Sequence, residues 1–384
     1  MSAIAQGSTI GILGGGQLGR MTAMAARSLG YRVQVMDPDP SCPARFVVDA
    51  CFVGSWDDAR AAADLARGCD VITLEIEQIS IASLEAAGRH APVRPGKEIL
   101  AMVQDRIQQK NWLRDQGYPV GPYLAIYSEE DLLQAVKELG ERIYLKRARG
   151  GYDGRGQVKL HGDLAGSQTE RVGAAWRALG EQPCVAEQAL DLESEISVMV
   201  ARNPSGEVVA YPAATNHHEH QILVWSALPS SMPAALEKRA QEIATTMACQ
   251  LKLEGLLAVE MFVTGNGLFV NELAPRPHNS YHASQRCCVT SQFEQAVRAV
   301  CDLPLGDVRI MRPAAIANLL GDLWLKNGLQ GEPHFAQALA VPEVSLHLYE
   351  KHTARAGRKM GHLSATADTA EEAVARVMEA KSRL

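Results

Sequence analysis

The feature that most constrains this chain is a pair of apolar runs joined by a short glycine-rich turn. The runs occupy residues 256–263 and 268–273, and Gly265, Asn266 and Gly267 lie between them. Two apolar segments separated by such a turn are typical of a β-hairpin. We therefore expect both runs to be neighbouring antiparallel strands.

The register of this hairpin points to a metal site. With residues 265–267 as the loop, Thr264 pairs with Leu268, and Glu260 lies directly opposite Glu272. Facing carboxylates repel each other across a ladder, and a divalent cation between them removes the repulsion. Because carboxylates and substrate phosphates are the usual ligands of Mg²⁺, we expect Glu260 and Glu272 to bind it. The alternative is a register shift that turns one glutamate to solvent.

Composition excludes several classes of function. A chain of 384 residues is too long for one typical core, so we expect two or three domains. The net charge of −6 gives no electrostatic reason to bind nucleic acid or an anionic membrane. The eight cysteines form no C-x-x-C pair, and the amino terminus lacks the features of a signal peptide. We expect a reduced, cytoplasmic protein without nucleic-acid or membrane partners.

The hydrophobic pattern divides the chain into three regions. Residues 1–98 alternate between strands and helices, as in a doubly wound α/β domain. Residues 99–190 resemble a separate small α+β module, and residues 191–384 contain further strands, a long helix and the carboxylate hairpin. The main predicted elements are strands at 9–13, 31–36, 71–74, 123–126, 144–146, 157–160, 184–187, 195–200, 208–210 and 347–351, and helices at 17–29, 57–67, 81–87, 99–116, 128–139, 170–179, 234–250 and 291–300.

Residues 14–19 form a G-x-G-x-x-G motif between the first predicted strand and helix. Asp37 ends the next strand, where a dinucleotide-binding enzyme would hold a ribose. Glycines at a helix amino terminus also make an anion site for other ligands. The motif therefore leaves three interpretations open: a phosphate site, a nicotinamide-dinucleotide site, or close packing alone.

A second glycine-rich loop follows Lys146, with Gly150, Gly151, Gly154 and Gly156. It lacks the G-x-x-x-x-G-K-[ST] pattern of a Walker A loop, because its lysine precedes the glycines. Backbone N–H groups of such a loop can cover triphosphate oxygens. The alternative is a flexible surface hairpin.

The histidine-rich segment 217–220 contains no H-E-x-x-H spacing and has no cysteine nearby. A contact between one histidine and a phosphate is favoured over a catalytic metal site, and a solvated loop is the remaining alternative. The segment 187–190, followed by Glu195, could offer a strand edge to adenine and a carboxylate to ribose hydroxyls.

Taken together, these motifs resemble the ATP-grasp superfamily. The α/β domain, glycine-rich lid and Glu…Asn-Glu hairpin occur in the order typical of that superfamily. The segments 12–21, 151–157, 271–280, 291–294 and 357–362 are most similar to the N5-carboxyaminoimidazole ribonucleotide synthetase family of purine biosynthesis. The resemblance implies an ATP-grasp fold with an amino-terminal doubly wound pre-ATP-grasp domain, a small α+β lid and a carboxy-terminal α+β domain.

The resemblance also implies roles for particular residues. Glu260 and Glu272 would bind Mg²⁺, and Lys146, Asp153 and Arg276 would be catalytic. ATP would contact Arg106, Lys146, Gly151, Tyr152, Asp153, Gly154, Arg155, Gly156, Gln157, Glu187, Gln188, Ala189, Leu190, Glu195, His218, Asn271 and Glu272. The second substrate would contact Gln17, Tyr152, Asp153, Arg276, His278, Lys351 and Arg358.

The sequence departs from the family pattern at two positions. Tyr281 replaces a glycine that many members have, and so does Gln221. Either change could alter a loop. The segment 73–77 also differs from the more aromatic family form, so we assign it no role.

The resemblance implies an ATP-dependent carboxylation of 5-aminoimidazole ribonucleotide by bicarbonate, giving N5-carboxyaminoimidazole ribonucleotide, ADP and phosphate. It implies ATP and Mg²⁺ as cofactors and a homodimer as the assembly. Three other functions stay open. They are a different ATP-grasp ligase, such as a formate-using one, an NAD-dependent oxidoreductase, and a non-catalytic nucleotide-binding regulator.

Overall fold

Buried apolar strands separated by amphipathic helices build the amino-terminal part of the protein. The computed structural model describes residues 3–140, 142–151, 156–162, 167–326 and 332–384. The first elements are β1 (Thr9–Leu13), α1 (Gln17–Ser28), β2 (Arg32–Asp37), β3 (Ala50–Val53), α2 (Ala59–Ala66), β4 (Val71–Leu74) and α3 (Ile81–Gly88). The strands form a parallel sheet in the order β3-β2-β1-β4.

Side chains that alternate along β1 feed two separate cores. Ile10 and Ile12 pack with α1 on one face, whereas Leu13 packs with α2 and α3 on the other. Successive strand residues point to opposite faces, so burial on both sides explains why β1 is apolar throughout. The predicted α/β domain with helices on both faces is confirmed.

The single helix predicted at 99–116 was wrong, because the structure contains two helices there. They are α4 (Lys97–Val103) and α5 (Arg106–Asp115). The Asp105 side chain accepts the backbone N–H groups of Ile107 and Gln108 and thereby caps α5. Aspartate is favoured at an N-cap over a helix interior, which accounts for the break.

A small antiparallel sheet backed by two helices follows. It contains β5 (Tyr123–Ile126), α6 (Glu129–Leu139), β6 (Ile143–Arg147), β7 (Gln157–Leu160), α7 (Gln168–Ala178) and β8 (Cys184–Gln188). The strand order is β5-β8-β6-β7. Ser128 caps α6 as predicted, and the apolar faces of both helices share one core with the strands.

The remaining strands form one antiparallel sheet of nine strands, in the order β14-β13-β9-β11-β12-β15-β17-β16 with β10 paired to β9. Its elements are β9 (Leu192–Arg202), β10 (Val208–Ala210), β11 (Ala214–Glu219), β12 (Ile222–Leu228), α8 (Ala234–Gln250), β13 (Gly255–Thr264), β14 (Gly267–Ala274), α9 (Ser284–Cys287), α10 (Gln292–Val300), β15 (Ala314–Leu320), α11 (Asp322–Leu325), α12 (Phe335–Leu339), β16 (Val344–Leu348), β17 (Lys359–Thr366) and α13 (Ala370–Ser382).

Several of these elements were not predicted, including β11, β12, β15, β17 and α13. The strand predicted at 347–351 lies instead at Val344–Leu348, so Lys351 follows the strand rather than closing it. The chain turns at Glu350, whose φ of 55° is outside the extended range. Among the residues that the structure describes, no helix is both long and apolar enough to cross a membrane.

The two departures from the family pattern have different structural outcomes. Tyr281 is fully buried, and its ring meets Tyr211 edge-on with 5.6 Å between centroids. Its hydroxyl lies 2.8 Å from the carbonyl oxygens of both Ser197 and Pro212. Gln221, in the turn between β11 and β12, has a φ of 67°, a conformation that favours glycine. The tyrosine is therefore part of the core, whereas the glutamine strains a turn.

We predict that Tyr281→Phe lowers the free energy of unfolding by about 1–3 kcal/mol, because it removes the buried hydroxyl that donates to these carbonyls. Urea denaturation measures the change. Tyr127→Phe is the matched control, since Tyr127 is 63% exposed, and it should change little. Equal stability of the two variants would contradict the role given to the Tyr281 hydroxyl.

Candidate active site

The carboxylate hairpin forms with Glu260 opposite Glu272, as predicted, but its turn differs from the prediction. Thr264 pairs with Gly267 rather than Leu268, so the loop contains two residues instead of three. A β-bulge compensates for this slip: Glu260 pairs with Glu272 while Met261 pairs with Val270. The extra residue is Asn271, so the bulge restores the facing glutamates that the shorter loop would have displaced.

Each glutamate of this pair is also held by a basic side chain. Arg106 Nη1 lies 2.6 Å from Glu272 Oε2, and His278 Nε2 lies 3.1 Å from Glu260 Oε1. Burial raises the pKa of Glu272, but Arg106 and Lys146 outweigh it and bring the pKa to about 2. Glu272 therefore offers charged oxygens beside those of Glu260, and carboxylate oxygens fit the hard-ligand preference of Mg²⁺.

A buried chain of hydrogen bonds orients His278. Its Nδ1 lies 2.8 Å from the Ser280 hydroxyl, which lies 2.7 Å from that of Ser197. Asn216 donates to Ser197 at 3.1 Å and accepts from Ser226 at 2.9 Å. This network was not predicted, because its members come from separate strands. It fixes the ring that contacts Glu260.

Two lysines flank one buried glutamate close to this hairpin. Glu187 Oε1 lies 3.1 Å from Lys146 Nζ, and Glu187 Oε2 lies 3.3 Å from Lys110 Nζ. Lys110 was not predicted from the sequence, although its spacing of four residues from Arg106 places both on one face of α5. Burial lowers the pKa of Lys110. The three basic side chains converge where the resemblance implies ATP phosphates.

The segment predicted to bind adenine, residues 187–190, lies at the end of β8. Within it, the N–H of Gln188 donates to Pro122 and that of Ala189 donates to Arg142. Glu195, on β9, lies 2.8 Å from Nδ1 of His218 on β11. Burial disfavours charge on His218, but Glu195 outweighs it and raises the histidine pKa. The structure thus brings together Glu195 and His218, which the sequence named separately.

The second glycine-rich loop is described only at its two ends. Gly151 accepts a hydrogen bond of 3.3 Å from Arg106, and Gly156 accepts one of 2.8 Å from the N–H of Arg147. Gln157 begins β7 opposite Lys146. The predicted contacts of Tyr152, Asp153, Gly154 and Arg155 lie outside the described residues.

The first glycine loop is occupied by a side chain of the protein itself. Glu75 accepts the N–H groups of Gly16 at 2.5 Å and Gly19 at 2.6 Å. A Cβ atom at Gly14 or Gly16 would lie 2.3 Å from atoms of Glu75, so glycine is required by this contact. Asp37 accepts the N–H of Gly15 at 2.7 Å. These contacts argue against a dinucleotide pyrophosphate in the loop.

Glu75 and its neighbour Glu77 belong to the segment that received no role from the sequence. Glu75 is buried, and this raises its pKa; nearby Asp37 raises it further, whereas the loop N–H groups and Lys351 lower it. Glu77 Oε1 lies 2.7 Å from Arg276 Nε. Glu75 and Glu77 lie six and four residues before α3, which begins at Ile81. Glutamates at these positions are a weak sequence signal, so only the structure reveals their contacts.

The basic residues predicted to hold a substrate phosphate are each supported by the protein. Lys351 Nζ donates to the carbonyl of Lys359 at 2.9 Å, and Arg358 Nη1 donates to that of Thr353 at 2.6 Å. A bidentate ion pair between Arg20 and Glu350 joins α1 to the segment before Lys351. Gln17 begins α1, beside the loop that holds Glu75.

Comparisons with known proteins agree with this fold along the chain. Residues 7–104 match the ribonucleotide synthetase preATP-grasp domain, residues 111–293 the ATP-grasp domain, and residues 314–376 the phosphoribosylaminoimidazole carboxylase C-terminal domain. The fold and the carboxylate hairpin therefore define an ATP-grasp protein.

The similar proteins narrow this class. A Bacillus subtilis (strain 168) N5-carboxyaminoimidazole ribonucleotide synthase is 40% identical over 93% of this chain and 91% of its own length. A crystal structure of an N5-carboxyaminoimidazole ribonucleotide synthetase with ADP has a TM-score of 0.91 and 39% identity, covering 99% of this chain and 98% of that one. An Aspergillus clavatus N5-carboxyaminoimidazole synthase, in complex with ADP and 5-aminoimidazole ribonucleotide, has a TM-score of 0.88 and 30% identity, with 98% of each chain covered. The chain belongs to the N5-carboxyaminoimidazole ribonucleotide synthase family.

The buried cluster around Glu187 predicts a specific pH dependence. Burial raises the pKa of Glu187, but Lys110 and Lys146 outweigh it and lower the pKa from 4.5 to about 2. The carboxylate therefore stabilises the fold fully above its unfolded pKa, and this stabilisation is lost as pH falls toward the folded pKa. Glu187→Gln should be less stable than the natural protein at neutral pH, with a difference that shrinks below about pH 4.5.

Urea denaturation between neutral pH and about pH 3 measures this difference. Glu130→Gln provides a control, because Glu130 is exposed in α6. A difference for Glu187→Gln that stays constant across this range would show that the carboxylate charge does not stabilise the cluster.

Proposed function

We propose that this protein is an ATP-dependent carbon–nitrogen ligase that carboxylates 5-aminoimidazole ribonucleotide with bicarbonate, in de novo purine biosynthesis. The products are N5-carboxyaminoimidazole ribonucleotide, ADP and phosphate. The observation that carries the proposal is the facing pair Glu260 and Glu272, bordered by Arg106, in a chain of this family. A pure binding protein would gain nothing from two apposed carboxylates.

The first chemical step activates bicarbonate, which is a poor electrophile. Transfer of the terminal phosphoryl group of ATP to a bicarbonate oxygen gives carboxyphosphate and ADP. Arg106, Lys110 and Lys146 would balance the negative charge that the phosphates bring. Their mutual repulsion is already offset by Glu187 and Glu272 in the protein alone. Charge neutralisation and positioning are the main sources of catalysis in phosphoryl transfer.

Glu260 and Glu272 are the residues that would hold Mg²⁺, with Asn271 adjacent on the bulge. When bound, Mg²⁺ would supply positive charge to the phosphate oxygens. The contacts of Arg106 and His278 keep both carboxylates oriented and compensated before nucleotide arrives.

The second step forms the carbon–nitrogen bond. The exocyclic amine of the ribonucleotide attacks the carboxyl carbon of carboxyphosphate, or CO₂ released from it. The carbon–oxygen bond to phosphate breaks, and the amine loses a proton. No protein nucleophile is required. Exclusion of water protects the labile intermediate, and we assign that task to the loop between Gly150 and Gly156, both of which have positive φ.

We place the ribonucleotide between the first glycine loop and the basic segment after β16. Arg276, Lys351 and Arg358 would hold its 5′-phosphate, with Gln17 and His278 nearby. Support comes from the electrostatics of Glu75 and Arg276. Burial raises the pKa of Glu75 and Lys351 opposes that rise, whereas Glu77 and Glu75 raise the pKa of Arg276 against the effect of burial. Thus Arg276 and Lys351 both act on one carboxylate.

Three further features are proposals of the same kind. We propose a division into residues 1–98, 99–190 and 191–384, a homodimeric assembly and a cytoplasmic location. The long strand β9, which begins two residues after the second boundary, supports that boundary. Light scattering of the purified protein would test the dimer.

The direct test measures ADP release with bicarbonate and 5-aminoimidazole ribonucleotide each omitted in turn. We expect ADP and carboxylated product in equal amounts when both are present, and loss of product when either is left out. Glu272→Gln should abolish turnover at ordinary Mg²⁺ concentrations, because it removes one carboxylate charge from the pair. Product formation with formate in place of bicarbonate would instead indicate the alternative ATP-grasp ligase.

We predict that Lys351→Ala and Arg358→Ala each raise KM for the ribonucleotide about 10- to 150-fold, because a charge-assisted hydrogen bond contributes roughly 1.5–3 kcal/mol. KM for ATP should change little. Arg383→Ala is the control, since Arg383 pairs with Glu379 on the exposed side of α13. A rise in KM for ATP alone, or no change, would rule out this segment as the phosphate cradle.

A further inference from the structure

A cavity of about 270 Å³ lies between the α9 segment and the neighbouring strands β16 and β17. Two cross-strand pairs form its floor, Ser345 opposite Ser364 and His347 opposite His362. Residues two apart along a strand point to the same face, so all four side chains share one surface. His282 and Arg286 line the cavity from the other side.

The proton position of the buried His282 imidazole follows from its hydrogen-bond partner, Gln292. The Gln292 side-chain oxygen accepts the backbone N–H of His278 at 2.8 Å, and its side-chain nitrogen donates to the backbone carbonyl of His278 at 2.9 Å. These two bonds fix the orientation of the amide. The same nitrogen lies 3.1 Å from His282 Nδ1, which must therefore accept. Neutral His282 thus carries its proton on Nε2.

His362 meets a different partner at its Nδ1. The Tyr349 hydroxyl lies 2.8 Å from His362 Nδ1. Tyr349 is fully buried, and burial raises its pKa, so it remains a phenol whose hydroxyl can donate to this nitrogen or accept from it. Burial lowers the pKa of His362 to about 3, and that of His282 falls well below its ordinary value for the same reason, so both rings are neutral.

The Nε2–H of His282 and the Nε2 atom of His362 have no hydrogen-bond partner among the described residues of the protein. His282 is 1% exposed and His362 is 2% exposed, and both rings line the cavity. Their Nε2 atoms are therefore open to a partner within the cavity. Two serine hydroxyls and the Arg286 guanidinium add further donors, and the described lining contains no carboxylate. A site with several donors, one cation and no anion favours a negatively charged ligand.

We propose that this cavity binds a small oxyanion of the bicarbonate or phosphate class. A water molecule occupies about 30 Å³ in the liquid. The cavity is therefore large enough to hold one such ion together with several waters. The cavity is separate from the side chains assigned to ATP and the ribonucleotide. It is joined to the candidate metal pair only indirectly, because Gln292 connects His282 to the backbone of His278, whose imidazole contacts Glu260.

The test uses the full chain with ¹⁵N-labelled histidine and without ATP. Long-range ¹H–¹⁵N spectra report the imidazole nitrogens directly while inorganic phosphate, and separately bicarbonate, is added at constant ionic strength. We expect saturable shifts of Nε2 in His282 and His362 with at least one of the two anions. The anion that produces them identifies the ligand within the class.

Two variants separate this cavity from the proposed ribonucleotide site. Arg286→Gln should weaken the shifts about tenfold or more, because it removes a charge-assisted hydrogen bond, and Ser345→Ala should weaken them less. Lys351→Ala should leave them unchanged, and so should Arg239→Gln, which replaces an exposed arginine on α8. The experiment needs no turnover, so its outcome is independent of the proposed reaction.

Three results would overturn the proposal. The first is the absence of saturable shifts with both anions, which would leave the cavity to water. The second is equal shifts with chloride at the same ionic strength. The third is shifts that persist in Arg286→Gln but disappear in Lys351→Ala, since these would report binding at the ribonucleotide site.

Discussion

The arrangement of the site depends on one unfavourable contact, the apposition of Glu260 and Glu272 across β13 and β14. Two like charges facing each other would weaken an isolated hairpin. The protein compensates from outside the hairpin, with Arg106 of α5 on one carboxylate and His278 on the other. This requirement ties α5 to the large sheet, and it explains why His278 is fixed by a hydrogen-bond chain through Ser280 and Ser197.

The same principle of compensation extends through the rest of the site. Lys110 and Lys146 are separated by Glu187, and Arg276 is paired with Glu77. An acidic partner already accompanies Arg106, Lys110, Lys146 and Arg276, which keeps these buried charges tolerable before ligand binds. A ligand phosphate would then compete with a carboxylate for each cation, so part of its binding free energy would be spent on rearranging these pairs.

The first glycine loop shows how a motif can keep its geometry while its use changes. The amides of Gly16 and Gly19 point to an anion, as the sequence pattern leads one to expect. Here the anion is Glu75, a side chain of the protein, rather than a ligand phosphate. Close approach of Glu75 explains the glycines equally well. The motif therefore indicates an anion at the helix terminus but not which anion.

Local sequence patterns were sufficient for the elements with strong periodicity and for the facing glutamates. β1, α8 and the cap of α6 follow from local chemistry that each segment contains. The break at Asp105 is also local, because it follows from the N-cap preference of aspartate, and the bulge at Asn271 lies within one hairpin. The pairing of Lys110 with Glu187 depends on contacts between segments far apart in the chain. The same holds for the histidines that line the cavity between α9, β16 and β17, which lie on three separate segments. The sequence by itself determined the strongly periodic elements and the positions of the carboxylates, because these depend on near neighbours. Only the tertiary structure decided which charges meet, since long-range packing sets the distances on which electrostatic interactions depend.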